Sequence, residues 1–253
     1  MQITRVDDAT STGYEIAKNL KTISSVDVFI APSFNALYTV GKIIKGTNLK
    51  LAGQNIHYYE KGAFTGQTSI LSLLDAGCEF VILGHSEPRR IFNETNEVIN
   101  QKVRIALEKN LKLVLCVGET AREREDDRIA EVNEEQLNKS LKGVSEEELQ
   151  NVIIAYEPVW AIDNEFLNPG IEIKPANPEQ ASSAHQIVRN WIKQNYSASA
   201  AEKIQIIYGG SMKSKNAKEL LSLKDIDGGL IGGASLSVET FLPIIQSAEE
   251  LSS

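Results

Sequence analysis

Short apolar runs alternate with helical patterns along almost the whole of this 253-residue chain, and that rhythm constrains the fold more than any other feature. Runs at 26–31, 49–54, 80–83, 113–117, 152–156, 204–208 and 229–231 read as strands. Segments at 36–45, 67–76, 94–109, 178–196, 214–221 and 238–248 read as helices; in 94–109 the apolar face is Val98, Ile99, Val103 and Leu107. Acidic helical segments run on to Leu141. Continuous apolar strands separated by helices imply a parallel sheet covered by helices. Seven strands are clear, and a helix at 11–23 precedes the first of them. That helix calls for a strand of its own before Thr10, which would make eight, the number that closes a (β/α) barrel. Only Met1–Ile3 is available for it. The expected fold is therefore α/β, a (β/α)8 barrel whose first strand is truncated or atypical. No linker or shift in composition divides the chain, so residues 1–253 read as one domain.

A formal net charge of −8 argues against nucleic acid or an anionic membrane as partner. An anionic substrate would have to be held by local groups. The two cysteines, Cys78 and Cys116, both sit in apolar surroundings and suggest neither a metal site nor a disulfide framework; a reducing compartment fits. No apolar run is long enough to span a membrane, and the first residues lack a signal-peptide core, so the expected location is cytoplasmic.

In a parallel barrel the strand ends converge on one face, and here they carry polar or glycine-rich residues. The run 152–156 ends in a carboxylate, Glu157, and Pro158 stops the strand at once. Glu157 is either a general base or a satisfied structural acid. His85 follows the strand 80–83 through Gly84 and should share the rim with Glu157; a hydrogen-bonded core or surface histidine is the alternative. Glu87 has Arg89 and Arg90 nearby and reads as a structural ion pair, or as a group behind His85 that orients it. Gly209-Gly210-Ser211 and Gly232-Gly233 end neighbouring strands. Their N–H groups can form a phosphate cradle, although tight turns are the commoner use of such pairs. His57 and His185 are expected at the surface, Cys116 as a small buried hydrophobe, and Trp160 and Trp191 as packing residues.

The chain resembles the triosephosphate isomerase family. The matching segments are Ala-Gly-Gln-Asn (52–55), Lys-Gly-Ala-Phe-Thr-Gly (61–66), Ile-Leu-Gly-His-Ser-Glu (82–87) and Leu-Cys-Val-Gly-Glu-Thr (115–120). Ala-Tyr-Glu-Pro-Val-Trp-Ala-Ile (155–162), Tyr-Gly-Gly-Ser (208–211) and Asp-Gly-Gly-Leu-Ile-Gly-Gly-Ala-Ser (227–235) complete them, in order, over most of the chain from Val26 onward. The resemblance implies a TIM barrel that interconverts dihydroxyacetone phosphate and glyceraldehyde 3-phosphate without a cofactor. It implies that Glu157 shuttles the proton, that neutral His85 polarises the substrate oxygens, and that Glu87 stands behind His85. It further implies that Ser211, Gly232 and Gly233 hold the phosphate, and that Thr65 reaches into a neighbouring subunit of a homodimer. A carboxylate taken out of water is a stronger base, which agrees with the role given to Glu157.

Two departures from the family pattern stand out. The Asn-Trp-Lys-Met-Asn motif that ends the family's first strand is absent; the nearest material is Thr4-Arg5-Val6-Asp7, where Arg5 is the candidate stand-in for the lysine. An arginine is not a neutral replacement for a compact ammonium. The lid keeps both hinges, Pro158-Val159-Trp160 and Lys174-Pro175-Ala176, but eleven residues (163–173) stand where a Gly-Thr-Gly tip is expected. Asp163, Glu165 and Glu172 bring negative charge there, and Gly170 is the candidate surrogate phosphate donor. Pro88 and Asn93 replace an expected Arg and Gly. The leading reading is a triose phosphate isomerase with impaired turnover. The alternatives are an isomerase of a larger phosphorylated sugar, or a catalytically weak or inactive binding or engineered scaffold with this fold.

Overall fold

The computed structural model describes residues 1–170 and 172–252. Six strands form one parallel sheet in chain order: β1 (Val28–Ile30), β2 (Leu49–Gly53), β3 (Phe80–Leu83), β4 (Lys112–Val117), β5 (Val152–Tyr156) and β6 (Ile206–Tyr208). Helices alternate with them, among them Phe34–Ile44, Asn96–Glu108, Pro178–Asn195 and Ser214–Leu221. The period of two along each strand sorts the core into layers. Ala31, Ala52, Phe80, Ile82, Val114, Cys116, Ala155 and Ile207 pack together inside the curl of the sheet. Their neighbours in sequence, such as Val81, Leu113, Leu115 and Ile154, join the larger core beneath the helices. Cys116 is fully buried in the inner layer, as expected of a small hydrophobe.

The curl is open along one seam. Met1–Ile3 forms no strand. Its polar groups are taken up one by one: the Met1 amino group donates to Ala31 O at 3.1 Å, and Ser33 Oγ donates to Ile3 O at 2.7 Å. The run 229–231, expected as a strand, contributes a single bridge, Tyr208 to Gly229. Only one side of that run has a sheet partner, and Gly228-Gly229 offers no side chain to pack. Between β1 and this run lies a cleft of about 450 Å³, lined by Phe29, Ile30, Leu230, Ile231 and Phe241 among others. The first helix begins earlier than expected, at Val6, and runs to Asn19. Asp7 and Asp8 in its first turn suit the positive end of the helix dipole.

His185 is not a surface residue. It lies on the buried face of helix Pro178–Asn195 with no exposed surface, and its Nδ1 is 3.0 Å from Asp225 O. The helical spacing of Ala181, Ala184, Val188 and Ile192 carries His185 inward with them. His57 is half-buried among Tyr58, Tyr59 and Phe64.

Burial pulls the His185 pKa down to about 4, against a smaller upward pull from the Asp225 carbonyl. The folded value lies below the unfolded one of about 6.5, so the neutral ring favours folding fully above that pH. That contribution is lost as pH falls toward the folded pKa, up to about 3 kcal/mol for such a shift. The urea midpoint of the parent should therefore fall between pH 6.5 and pH 4. His185→Gln, which removes the titration, should show a shallower decline over the same window in parallel urea titrations.

Candidate active site

Glu157 continues β5 by one residue, its N–H donating to Val117 O at 2.8 Å. Pro158 has no N–H to extend the ladder. Two glycines make room for this turn. A Cβ on Gly118 would lie 1.7 Å from the Glu157 carbonyl oxygen, and one on Gly209 would lie 2.7 Å from Glu157 Cγ. The carboxylate is 2% exposed. Its Oε2 accepts the Ser86 N–H at 2.8 Å, and its Oε1 lies 2.9 Å from His85 Nε2.

His85 reaches this position because Gly84 turns the chain with φ +69°. It then caps helix Ser86–Ile91, and its Nδ1 accepts the Glu87 N–H at 3.4 Å. With Nδ1 accepting, a neutral imidazole carries its proton on Nε2 and donates it to Glu157. Burial pulls the His85 pKa down, but the Glu157 carboxylate, by charge and hydrogen bond, and then Glu87 outweigh it and leave it raised. Above that raised value the ring is neutral.

The expected pairing of Glu87 with Arg89 or Arg90 does not occur. Glu87 Oε2 is 3.7 Å from His85 Nδ1, and Oε1 accepts Asn164 Nδ2 at 2.7 Å. Arg89 turns beneath the strand ends to donate to Gly84 O and Cys116 O, at 2.6 and 3.0 Å. Buried carbonyls at strand ends need donors, and Arg89 supplies two. Arg90 pairs with Glu123 at 3.2 Å.

Across the rim, Ser211 is half-buried and Gly232 and Gly233 are exposed, with open space where their Cβ atoms would be. Among the described residues, no hydrogen bond engages the N–H of Ser211, Gly232 or Gly233. These donors are therefore available to an anion at the start of the 3-10 turn Gly233–Leu236.

The family model for triosephosphate isomerase matches residues 1–248. The chain is 44% identical over 235 residues to the triosephosphate isomerase of Geotalea uraniireducens (strain Rf4), spanning 93% of this chain and 90% of that one. To the triosephosphate isomerase of Treponema denticola it is 49% identical over 220 residues, 87% and 85% of the two chains. The crystal structure of triosephosphate isomerase from Bartonella henselae superposes with a TM-score of 0.83 at 34% identity, covering 95% of this chain and 92% of that one. The chain belongs to the triosephosphate isomerase family.

Within that family frame, Trp160 is held by a buried acid whose role no local motif announces. Glu119 ends β4 much as Glu157 ends β5 and has no exposed surface. It accepts Tyr156 OH at 2.8 Å, Trp160 Nε1 at 2.9 Å, Arg124 Nη1 at 3.1 Å and Asn133 Nδ2 at 3.2 Å. A second carboxylate just past an apolar strand was the available signal. Trp160 is thus more than a packing residue; it is held by Glu119, with Arg124 over its ring at 4.6 Å. The other hinge, Lys174-Pro175-Ala176, leads into helix Pro178–Asn195, which opens with an Asn177–Gln180 capping box.

The insertion at 163–173 folds on itself; Ile171 within it lies outside the described residues. Asn168 is buried and donates to Val159 O and Ile162 O at 2.8 and 2.9 Å. The Gly170 N–H, expected as a surrogate phosphate donor, is taken by Glu165 Oε1 at 3.2 Å. Arg5 does not take the place of the missing lysine beside Glu157. It precedes the first helical turn, is mostly exposed, and points to Asp8 at 3.8 Å. Thr65 is exposed on the loop that spans 61–66.

Replacing Gly118 by Ala should force the backbone at Glu157 aside. Overpacking of this kind costs about 1–3 kcal/mol. Guanidinium unfolding should show at least that loss. Gly209→Ala, which meets Glu157 Cγ at 2.7 Å and Tyr156 O at 3.1 Å, should also destabilise the fold and displace the carboxylate.

Proposed function

We propose that this chain interconverts dihydroxyacetone phosphate and glyceraldehyde 3-phosphate, with Glu157 as the proton-transfer base. The observation that carries the reading is the 2.9 Å contact between Glu157, buried at the end of β5, and His85, half-buried past the end of β3. In the free protein His85 spends its Nε2–H on Glu157 Oε1. A substrate carbonyl oxygen placed at His85 takes over that hydrogen bond. Oε1 is then free to accept the proton from the neighbouring carbon, while the Ser86 N–H keeps Oε2 in place. The enediolate oxygens remain against His85, which gives its Nε2 proton to the former carbonyl oxygen and takes up the proton of the other oxygen, while Glu157 returns the carbon proton to the other carbon. The charge that develops on oxygen meets a fixed donor, which is how such sites lower a barrier. The phosphate binds the N–H groups of Ser211, Gly232 and Gly233, without help from Gly170. No cofactor is called for by this chemistry.

The larger-sugar reading gains no support from the lid, because the insertion packs onto its own hinges through Asn168. Among the described residues, no lysine or arginine side chain hydrogen-bonds to Glu157 or His85. Loss of one preorganised donor can lower a rate by about two to three orders of magnitude, so slow turnover is expected. The same reading takes residues 1–253 as one domain in a cytoplasmic homodimer, with Thr65 at the subunit contact.

Isomerisation of glyceraldehyde 3-phosphate by the purified chain should exceed the buffer rate. Glu157→Gln should lower kcat by about 10²–10⁴-fold, the range for loss of a positioned base, with an unchanged urea midpoint. Parent activity at the buffer rate would overturn the assignment.

A further inference from the structure

The insertion at 163–173 touches the chemistry at one point. Asn164 Nδ2 donates to Glu87 Oε1 at 2.7 Å. Among the described residues, this is the only hydrogen bond between the insertion and the segment that carries His85. We propose that Asn164 is a positioning residue that fixes Glu87 and, through it, sets how His85 presents its Nε2–H to substrate. The inference rests on the isomerase reading above for its catalytic meaning, though not for its geometry.

Three observations support it. First, Asn164 is held at both ends. Its Oδ1 accepts the Phe166 N–H at 2.8 Å while its Nδ2 faces Glu87. Its backbone is fixed as well: its N–H donates to Ile162 O, and its carbonyl accepts the N–H groups of Leu167 and Asn168. The amide is therefore presented by a folded turn.

Second, Glu87 divides its two oxygens. Oε1 is taken by Asn164, and Oε2 lies 3.7 Å from His85 Nδ1. With its side chain 44% exposed, Glu87 would be free to swing into solvent once Oε1 is released.

Third, the donor is neutral. A lysine or arginine in its place would cancel the charge that Glu87 directs at the imidazole, whereas an amide orients the carboxylate and leaves that charge intact. The other groups that act on His85 are Glu157 from the end of β5 and the Met1 amino group. Neither depends on the insertion for its placement. The rebuilt lid therefore reaches His85 through Asn164 and Glu87. Moving the lid away breaks the first of these contacts and frees the second.

The test is the titration of His85 by NMR in the full, ligand-free chain, with amide exchange of the lid followed in parallel. Asn164→Ala should shift the His85 midpoint downward and speed exchange at 164–170. Glu87→Gln should give the same downward shift, and Asn164→Ala added to it should shift the midpoint no further. Asn164→Asp, which sets like charges against each other, should speed lid exchange at least as much as the alanine variant. Faster exchange with an unmoved His85 midpoint would reduce Asn164 to a tether of the lid and overturn the proposal. So would an additive shift in the double variant. Because the titration needs no turnover, an inactive parent would sink the isomerase reading while leaving this linkage to stand or fall alone. In an active parent, Asn164→Ala should lower kcat more than it changes KM.

Discussion

A buried carboxylate at the end of a fully paired strand is the constraint around which the rest of the site is arranged. Taking an ionised carboxylate out of water is expensive unless hydrogen bonds and opposite charge replace the solvent. Glu157 receives a backbone N–H on one oxygen and an imidazole N–H on the other. Both come from the 84–87 segment, so the turn after β3 is shaped by what the end of β5 requires. The glycines at 118 and 209 follow from the same demand. They let β4 and β6 close on the Glu157 backbone and side chain from either side, leaving the carboxylate nowhere to move.

The neighbouring strand end repeats the solution with a different outcome. Glu119 is also a buried acid, two residues past β4, but four donors surround it. Three of the four meet on Oε1, and the side chain has no exposed surface, so Glu119 faces its own neighbours and holds Trp160 in place. Two acids in similar sequence settings thus differ by their partners: Glu157 meets a backbone N–H and an imidazole, whereas Glu119 meets four side-chain donors. Gln136, bonded to both the N–H and the carbonyl of Gly118, fixes the backbone between β4 and Glu119.

The strands other than 229–231, and the meeting of Glu157 with His85, were legible in the sequence because each has a local signature: an apolar run, a terminal Glu, a Gly-His turn. Gly232 and Gly233 stand out in the same way as a glycine pair. What could not be read depends on contacts far apart in the chain. His185 looked like a polar surface residue until its helix was placed with Ala181 and Val188 facing inward. Arg89 looked like a partner for Glu87, but nothing local shows that two strand-end carbonyls lack donors. The setting of Glu119 needs Asn133 and Arg124 from the following helices. Gly170 kept a donor on paper that Glu165, five residues earlier, had already taken.

The open seam falls where it affects the two halves of the site unequally. β5, which carries Glu157, is paired on both sides over its length, by five residue pairs with β4 and three with β6. The segment that leads into Gly232 and Gly233 is joined to β6 by three backbone hydrogen bonds, Asp227 N–H to Ile206 O, Tyr208 N–H to Gly228 O and Leu230 N–H to Tyr208 O, and borders the cleft on its other side. A strand end held by ladders on both sides keeps its register more firmly than one paired on a single side. Glu157 is therefore built on a strand paired on both sides, whereas Gly232 and Gly233 follow a segment paired on one side alone.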